Sequence, residues 1–330
     1  MDVIDFVIPW VDGNDPEWIS EFNKYAPETK RIDIDIQQTR YRDNGLLKYV
    51  FRGIEQHAPW VNKIHFVTCG QKPLWMNIES PKINFVNHSD YIPEQFLPVF
   101  NSHPIELFLH KIPGLSEKFV YFNDDSYLTK TISSDFFFKK NKVNEVVAFS
   151  ALPVGNIEHI RLNNILAINK KFSKSEYIKN NWSALFSIRN GKQLIRTIPL
   201  AILFRNFTGF FDHHFQSAFL KSSYELAWDL FYEELSCTMN SKFRSDIDVN
   251  QYLIRYLQYL TGIVKPFNLE KYCKFFKITD DLNIITNTIK SKKYVEISIN
   301  DYPVDDYDYR ISEIQKAFEE ILPKKSSFEL

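Results

Sequence analysis

The chain has 330 residues, and its 40 lysines and arginines nearly balance 41 aspartates and glutamates, which gives a formal net charge of −1. This balance excludes a surface built to bind polymeric nucleic acid, because such a surface needs an excess of basic side chains. The 44% of hydrophobic residues suffice for a large core, and three well-separated cysteines without CxxC or zinc spacing indicate free thiols in a reducing cytosol.

The first third of the chain alternates strand-like and helix-like segments. Residues 5–11 predict a buried strand, after which a turn leads into a helix that opens at Pro16. Further strands are predicted at 64–68, 83–86 and 119–122, and helices at 44–57 and 104–112. This β-α-β alternation predicts an α/β fold in which helices cover a parallel or mixed sheet.

The rest of the chain has mainly helical patterns. Helices are predicted at 156–172, 214–239, 248–260 and 311–321, with a strand at 294–299. Only 9 glycines occur and there is no Gly/Ser-rich tract, so we expect residues 1–330 to form a single catalytic unit. Within this unit, residues 1–155 and 290–330 should form the α/β core, and residues 156–289 a mainly helical insertion.

The longest apolar stretch covers residues 198–211 and is interrupted by Arg205 and Asn206. It is too short to span a bilayer, and it could form either a core helix or a surface that leans on a membrane or a partner. The first ten residues lack a basic segment ahead of their apolar run, so they do not predict a signal peptide. We therefore expect a cytoplasmic protein, with peripheral contact at the inner face of the membrane as an open alternative.

Two polar motifs follow predicted strands directly. Asp12-Gly13 comes after the first strand, and Asn123-Asp124-Asp125 after the strand at 119–122. Ligands of α/β sheets bind at the carboxyl ends of strands, and adjacent carboxylates there suit magnesium that bridges to substrate phosphates. The alternatives are a solvated turn for the aspartate pair and a helix cap for Asp12.

Other candidate residues are less specific. His213 and His214 are predicted to open a long helix, either as metal ligands or proton-transfer groups or as ordinary helix-start residues. Arg244 could clamp a phosphate or form a surface ion pair with Asp246 or Asp248. No Walker loop, GxGxxG or GxSxG motif is present, which disfavours P-loop kinases, simple dinucleotide dehydrogenases and α/β-hydrolases.

Taken together, four regions of the chain resemble the Stealth family, which contains bacterial capsular polysaccharide phosphotransferases and the catalytic subunit of the animal lysosomal-enzyme GlcNAc-1-phosphotransferase. The first region is IPWVDGNDP at 8–16, and the second covers 40–77 and 97–128. The third holds His213-His214 and SKFRSDIDVNQYLIRY at 241–256, and the fourth is ISINDY at 297–302, closed by LPKKSSFE at 322–329. The family commonly has a Pro two residues after its histidine, whereas Phe215-Gln216 follow His214 here; we favour His214 over His213.

The resemblance implies a glycosyltransferase-A-like, nucleotide-sugar-binding core and a specific reaction. A hexosamine-1-phosphate, with GlcNAc-1-phosphate favoured, would move from a UDP-sugar to a hydroxyl of an oligosaccharide or polysaccharide acceptor. UMP would leave, and a phosphodiester would form. The alternatives are a metal-dependent glycosyltransferase that releases UDP, and a non-catalytic carbohydrate-binding subunit of a capsule complex. No nucleic-acid partner is expected; contact with a membrane or with capsule-export machinery is a further partner prediction.

The resemblance also suggests roles for individual residues. Asp124, Asp125 and Asp301 would hold Mg²⁺ or Mn²⁺, and His214, with His213 as the other choice, would accept the proton of the acceptor hydroxyl. Arg244 would stabilise the transferred phosphoryl group, and Glu106 would grip a sugar hydroxyl or orient the base. The remaining residues predicted to bind substrate are Trp10, Asp12, Gly13, Arg42, Asn44, Arg52, Asn123 and Asn300.

Overall fold

The computed structural model describes residues 3–26, 44–152 and 158–330, and helices and strands are numbered here in chain order within these residues. The strands are β1 (Ile4–Pro9), β2 (Ile64–Thr68), β3 (Ile83–Asn87), β4 (Lys118–Tyr121), β5 (Ser126–Leu128), β6 (Phe138–Lys139), β7 (Lys142–Glu145), β8 (Ser217–Leu220), β9 (Val264–Pro266), β10 (Cys273–Lys277) and β11 (Glu296–Asn300). The helices are α1 (Pro16–Tyr25), α2 (Leu47–His57), α3 (Ser102–Leu107), α4 (Glu158–Lys171), α5 (Lys174–Leu185), α6 (Gln193–Leu203), α7 (Lys221–Leu230), α8 (Tyr232–Met239), α9 (Tyr252–Leu260), α10 (Leu282–Ser291) and α11 (Tyr307–Ile321).

The central sheet has the strand order β3-β2-β1-β4-β8 among the described residues. β3, β2, β1 and β4 run parallel, and β8 pairs antiparallel with β4 at one edge. Every residue of β2 and β4 is buried, as expected for parallel strands that are covered on both faces. The predicted α/β class is confirmed.

Two smaller sheets, β10-β11-β5 and β6-β7-β9, flank the central one among the described residues. β11 runs antiparallel to β5, and its Ile299 N–H donates to the carbonyl oxygen of Asp125 at 3.0 Å. The C-terminal part of the chain thereby braces the loop between β4 and β5, which carries the predicted acidic motif.

Helix α2 packs closely against β5, the strand that follows this loop. Gly53 makes the close approach possible, because a Cβ at this position would lie 2.7 Å from the carbonyl oxygen of Leu128. A side chain there would push α2 away from β5. The glycine therefore helps to fix the position of β5, and with it the position of the acidic loop.

The prediction of one helix over 214–239 is wrong at its start. Ser217–Leu220 is the edge strand β8, α7 begins at Lys221, and a second helix, α8, begins at Tyr232. Such a short apolar run has no period long enough to tell a strand from a buried helix, and its pairing with β4 decides the outcome. His213 and His214 therefore lie in a loop before a strand and do not open a helix. The helix predicted over 104–112 is also shorter, since α3 ends at Leu107 and a single 3₁₀ turn follows.

The segment 156–289 contains helices α4 to α9 and most of α10, and it also supplies β8 to the central sheet and β9 and β10 to the smaller ones. No helix among the described residues is long and apolar enough to cross a membrane.

Candidate active site

A cavity of about 380 Å³ opens where the parallel strands of the central sheet end. β1 leads into Trp10, and β4 leads through Phe122 into the acidic loop. This is the edge at which α/β sheets bind their ligands. The predicted site residues that line the cavity are Trp10, Glu106, Asn123, Asp124, Asp125, His213, His214, Arg244 and Asn300.

Asp125 has one oxygen turned to a histidine and one without a hydrogen-bond partner. Its Oδ2 lies 3.6 Å from Nε2 of His214. Its Oδ1 is buried and accepts no hydrogen bond from any described residue. A buried carboxylate oxygen left in this state is costly unless a ligand supplies a positive charge or a donor. The unpartnered Oδ1 of Asp125 is therefore consistent with a cation-binding site.

The donor chemistry around Asp125 fits a hard divalent cation in part. Asn123, Asp124, Asp125 and Asn300 offer carboxylate and amide oxygens, which are the ligands that Mg²⁺ prefers. Within residues 3–26, 44–152 and 158–330, no group of three or more His, Cys, Asp or Glu side chains is arranged to hold a metal ion. The residues present therefore fit an ion that takes the rest of its coordination from substrate phosphates and water.

His213 is a buried histidine whose two ring nitrogens are both engaged. Its Nε2 lies 2.8 Å from Oε1 of Glu145, and its Nδ1 accepts the backbone N–H of Phe215 at 3.3 Å. Burial lowers the pKa of His213, with a further lowering by the neighbouring Arg255 charge, so the ring is neutral. The neutral tautomer with the proton on Nε2 satisfies both contacts. His213 has no nitrogen left to accept a proton from a substrate.

His214, the next residue, faces the cavity. Its side chain is 41% exposed, and its Nε2 lies within ion-pair distance of Asp125 Oδ2. The surrounding protein acts to lower the pKa of His214, but the contact with Asp125 outweighs this and raises it. Burial raises the pKa of nearby Glu296 to about 8, which favours its uncharged form, and Asp125 contributes more than Glu296 to raising the pKa of His214.

A buried charge cluster holds the loop that carries the two histidines. Arg255 Nε lies 3.0 Å from Glu145 Oε2, and Arg255 also donates through Nη2 to the carbonyl oxygen of Phe211 at 3.3 Å. Tyr256 donates to Asp212 Oδ2 at 2.7 Å. Burial would raise the pKa of Glu145, but Arg255 and His213 hold it at about 2, so Glu145 is a carboxylate paired with a guanidinium. These contacts therefore hold residues 211–213, just before His214, in place.

Glu106 lies on α3 at another wall of the cavity, 7% exposed. Tyr121 donates to its Oε1 at 3.1 Å. Burial raises the pKa of Glu106 to about 7, although the Arg244 charge opposes the rise. Arg244 itself donates through Nη2 to Ser102 Oγ at 3.3 Å, at the start of the same helix.

Asp248, one of the alternative partners considered for Arg244, has other contacts. Its Oδ2 accepts from Asn101 Nδ2 at 2.8 Å and from the backbone N–H of Ser245 at 3.0 Å, and lies 3.1 Å from His103. These contacts fasten the loop of Arg244 to the start of α3. A guanidinium and a carboxyl with a raised pKa are thereby brought together in the cavity wall.

Among the predicted residues that the structure describes, Asp12, Gly13, Asn44, Arg52 and Asp301 do not line the cavity. Asp12 accepts from the backbone of Asn14, and Asp15 rather than Asp12 caps α1. Asn44 accepts from the backbone N–H of Leu46, ahead of α2. Asp301 accepts from the Tyr307 hydroxyl at 3.1 Å, one residue beyond Asn300, which does line the cavity.

The prediction that Arg52 binds substrate does not agree with its contacts. Its guanidinium is 6% exposed, lies 2.8 Å from Oε1 of Glu329 and 3.1 Å from Oε2 of Glu319, and donates to the carbonyl oxygen of Leu322. Its donors are thus used to tie the C-terminal segment to α2, and we leave Arg52 out of the site. Arg42 lies outside the described residues.

The cavity also contains residues that the sequence did not indicate. Arg161 on α4 lies 3.3 Å from Asp212 Oδ2 through its Nε, and Tyr252 on α9 donates to the carbonyl oxygen of His213 at 3.4 Å. His88, after β3, is a third. Arg161 and His88 lie outside the four regions that carry the family resemblance, and Tyr252 lies within the third region without having been predicted as a site residue. The fold is what places all three at the cavity.

Comparisons with known proteins identify the family of the chain. Stealth protein CR1, conserved region 1, matches residues 2–29, and Stealth protein CR2, conserved region 2, matches residues 40–146. The chain is 38% identical over 332 residues to a capsular polysaccharide phosphotransferase WcwK of Streptococcus pneumoniae, covering 100% of this chain and 98% of the relative. It is 37% identical over 333 residues to the receptor polysaccharide phosphotransferase WefC of Streptococcus gordonii, with 99% of each covered.

A crystal structure of the galactosyltransferase LgtC in complex with donor and acceptor sugar analogs aligns with 95% of this chain and 95% of that chain, with 9% identity and a TM-score of 0.40. At that score we draw nothing from the alignment. An α/β protein with acidic residues and a histidine at the carboxyl edge of its sheet has the layout of a group-transfer enzyme. The matched regions and the full-length relatives show that the chain belongs to the Stealth family, as its motifs predicted.

Proposed function

We propose that this protein is a capsular polysaccharide phosphotransferase. It transfers a hexosamine-1-phosphate from a UDP-sugar to a hydroxyl of a saccharide acceptor, forms a phosphodiester and releases UMP. Relatives along the whole chain are named polysaccharide phosphotransferases. GlcNAc-1-phosphate is the transferred group that the family resemblance favours.

The observation that carries the proposal is the contact between His214 and Asp125. A histidine that faces the cavity lies 3.6 Å from one oxygen of an aspartate whose other oxygen is buried without a described partner. A proton acceptor and a cation ligand are thus adjacent at one point, which phosphoryl transfer to a hydroxyl requires.

In the proposed reaction, His214 accepts the proton of the acceptor hydroxyl. The acceptor oxygen then attacks the phosphorus next to the sugar, and the bond from this phosphorus to the bridging oxygen breaks. That oxygen leaves with UMP, while the anomeric carbon–oxygen bond remains intact. Arg244 lies in the cavity wall where it can balance charge on the transferred group.

Asp124 and Asp125 would hold a divalent cation, with Asn123 and Asn300 as neutral oxygen donors nearby. When bound, the ion neutralises charge on the diphosphate and so favours departure of the nucleotide. Trp10 offers an aromatic face to the nucleotide or sugar, and Glu106, as the buried neighbour of Tyr121, binds a sugar hydroxyl. We assign the acceptor side to residues 156–289, which carry the two histidines and Arg244.

The released nucleotide tests this proposal. The purified protein is incubated with Mg²⁺, a panel of UDP-sugars and short acceptor oligosaccharides. We expect UMP in step with acceptor elongation and a phosphodiester signal in phosphorus NMR of the product. Stoichiometric UDP with a phosphate-free product would refute the phosphotransferase proposal and favour a glycosyltransferase. An unchanged acceptor with every donor, despite binding of saccharide, would favour the non-catalytic subunit.

A further inference from the structure

Helix α6 exposes an apolar face to solvent, contrary to the usual arrangement of a surface helix. Ile195, Ile198, Pro199 and Ile202 are all exposed and follow the spacing i, i+3, i+4, i+7, so they lie along one side. Ile195 is 77% exposed and Ile202 is 76% exposed. Leu203, at 72%, extends this side. We call these five residues the α6 face.

The opposite side of α6 is firmly attached to the protein. Gln193 and Thr197 are buried, and Thr197 Oγ1 accepts the backbone N–H of Phe149 at 3.1 Å. The buried amine of Lys174 donates to the carbonyl oxygens of Leu200 and Phe204, both at 2.5 Å. The α6 face is therefore a feature of the folded protein, because the helix cannot roll over to bury it without breaking these contacts.

Basic residues surround the α6 face. From residue 177 to residue 211 the chain has five lysines and arginines and no aspartate or glutamate. Lys192 is paired with Glu270 at 3.1 Å. Arg189, Arg196 and Arg205 are exposed, and no carboxylate of the described residues lies within ion-pair distance of them. Ile188, 86% exposed, lies in the turn beside Arg189.

We propose that the α6 face is a docking surface for an anionic lipid bilayer. An apolar stripe flanked by arginines is the arrangement with which interfacial helices insert into the headgroup region of a membrane and contact acidic lipids. A second copy of this chain fits less well. A two-fold interface would place the same face on both partners and bring like-charged arginines together.

The docked orientation also has a consequence for the candidate active site. Arg196 on α6 donates to Ser150 Oγ at 3.3 Å and lies over the ring of Phe211, 5.5 Å from its centroid. A groove lined by Arg196, Phe211 and Asp212 reaches Arg161, which also lines the active-site cavity. A bilayer on the α6 face would therefore lie close to a groove that shares Arg161 with the active-site cavity.

Vesicle co-sedimentation of the full chain tests the proposal without any use of activity. Wild-type protein should sediment with vesicles of phosphatidylglycerol and phosphatidylcholine, less so as salt rises, and weakly with phosphatidylcholine alone. Ile198→Asp/Ile202→Asp should weaken binding by at least ~10-fold. Arg189→Gln/Arg205→Gln should weaken it on the order of 25-fold, about fivefold per arginine.

The matched control is Ile284→Asp on α10. This isoleucine is 57% exposed and lies outside residues 177–211. The control variant should bind vesicles as the wild type does. All the variants change exposed side chains, so their thermal unfolding midpoints should stay near the wild-type value. No binding by wild type, or equal binding to neutral vesicles, would overturn the proposal. A concentration-dependent dimer, detected by light scattering and dissociated by Ile198→Asp, would also overturn it. That result would assign the α6 face to contact with a second copy of the chain.

Discussion

The two adjacent histidines offer a crossed test, since the structure gives them different tasks. His213 donates to buried Glu145 at 2.8 Å, and a hydrogen bond to a charged group stabilises a protein by about 1.5–3 kcal/mol. His214 is 41% exposed, and its Nε2 lies 3.6 Å from Oδ2 of Asp125. Loss of His213 should therefore appear mainly in stability, and loss of His214 mainly in turnover.

We expect His214→Gln to lower kcat about 10²- to 10⁴-fold, or about 3–5 kcal/mol of activation free energy, because glutamine cannot accept the proton of the acceptor. Its free energy of unfolding should stay within about 0.5 kcal/mol of wild type. His213→Ala should lower the unfolding free energy by at least ~2 kcal/mol, and its loss of kcat should be smaller than that of His214→Ala.

The conservative variant His213→Gln separates a positioning role from a chemical one. The glutamine amide can donate to Glu145, so it should recover part of the stability and most of the turnover that His213→Ala loses. Turnover is measured as nucleotide release at saturating donor, and stability by urea unfolding. A stable His213→Gln protein without activity, beside an active His214→Gln protein, would show that the assignment of the base is wrong.

Two further substitutions test the surroundings of the site. Asp125→Asn removes the charge of the proposed cation ligand at nearly constant volume. Activity in magnesium should therefore fall at least ~100-fold, while the unfolding midpoint stays unchanged. Turnover near the wild-type value would rule out Asp125 as a cation ligand. Glu296 has a pKa raised from 4.5 to about 8, so the stability linked to its protonation is complete below pH 4.5 and is lost as the pH rises towards 8. The glutamine of Glu296→Gln cannot ionise. The unfolding free energy of this variant minus that of wild type should therefore rise by about 3 kcal/mol between pH 5 and pH 8. If this free-energy difference does not vary with pH, Glu296 is already ionised in the folded protein.

The sequence predicted the elements whose local pattern is decisive. β1, β2 and β4 are apolar runs that end at polar or turn residues; β2 has the predicted bounds, and β1 and β4 differ from theirs by one or two residues at each end. Because their carboxyl ends share one edge of a parallel sheet, Trp10 and the acidic loop could be placed together before any coordinates.

The failures depend on contacts that are distant in the chain. Ser217–Leu220 is a strand because β4 offers it an unpaired edge, and no pattern within four residues contains that information. Arg52 was predicted in the site, yet Glu329, 277 positions away, holds its guanidinium. Arg161 reaches the cavity from a helix whose sequence indicates only that it is a helix, and Tyr252 from a helix whose family motif does not single it out.

The buried charge cluster around Arg255 is better explained by its effect on the position of the histidine loop than by a contribution to folding stability. Buried ion pairs such as Glu145–Arg255 lose hydration on both partners, and apolar residues of equal volume often stabilise a core at least as well. Yet this cluster contacts the backbone or side chains of three consecutive residues, Phe211, Asp212 and His213, just before His214. Its directional bonds fix a short loop that has no helix or strand of its own. A loop held in this way can present His214 to Asp125 at a defined distance, and catalysis by proton transfer depends on that distance.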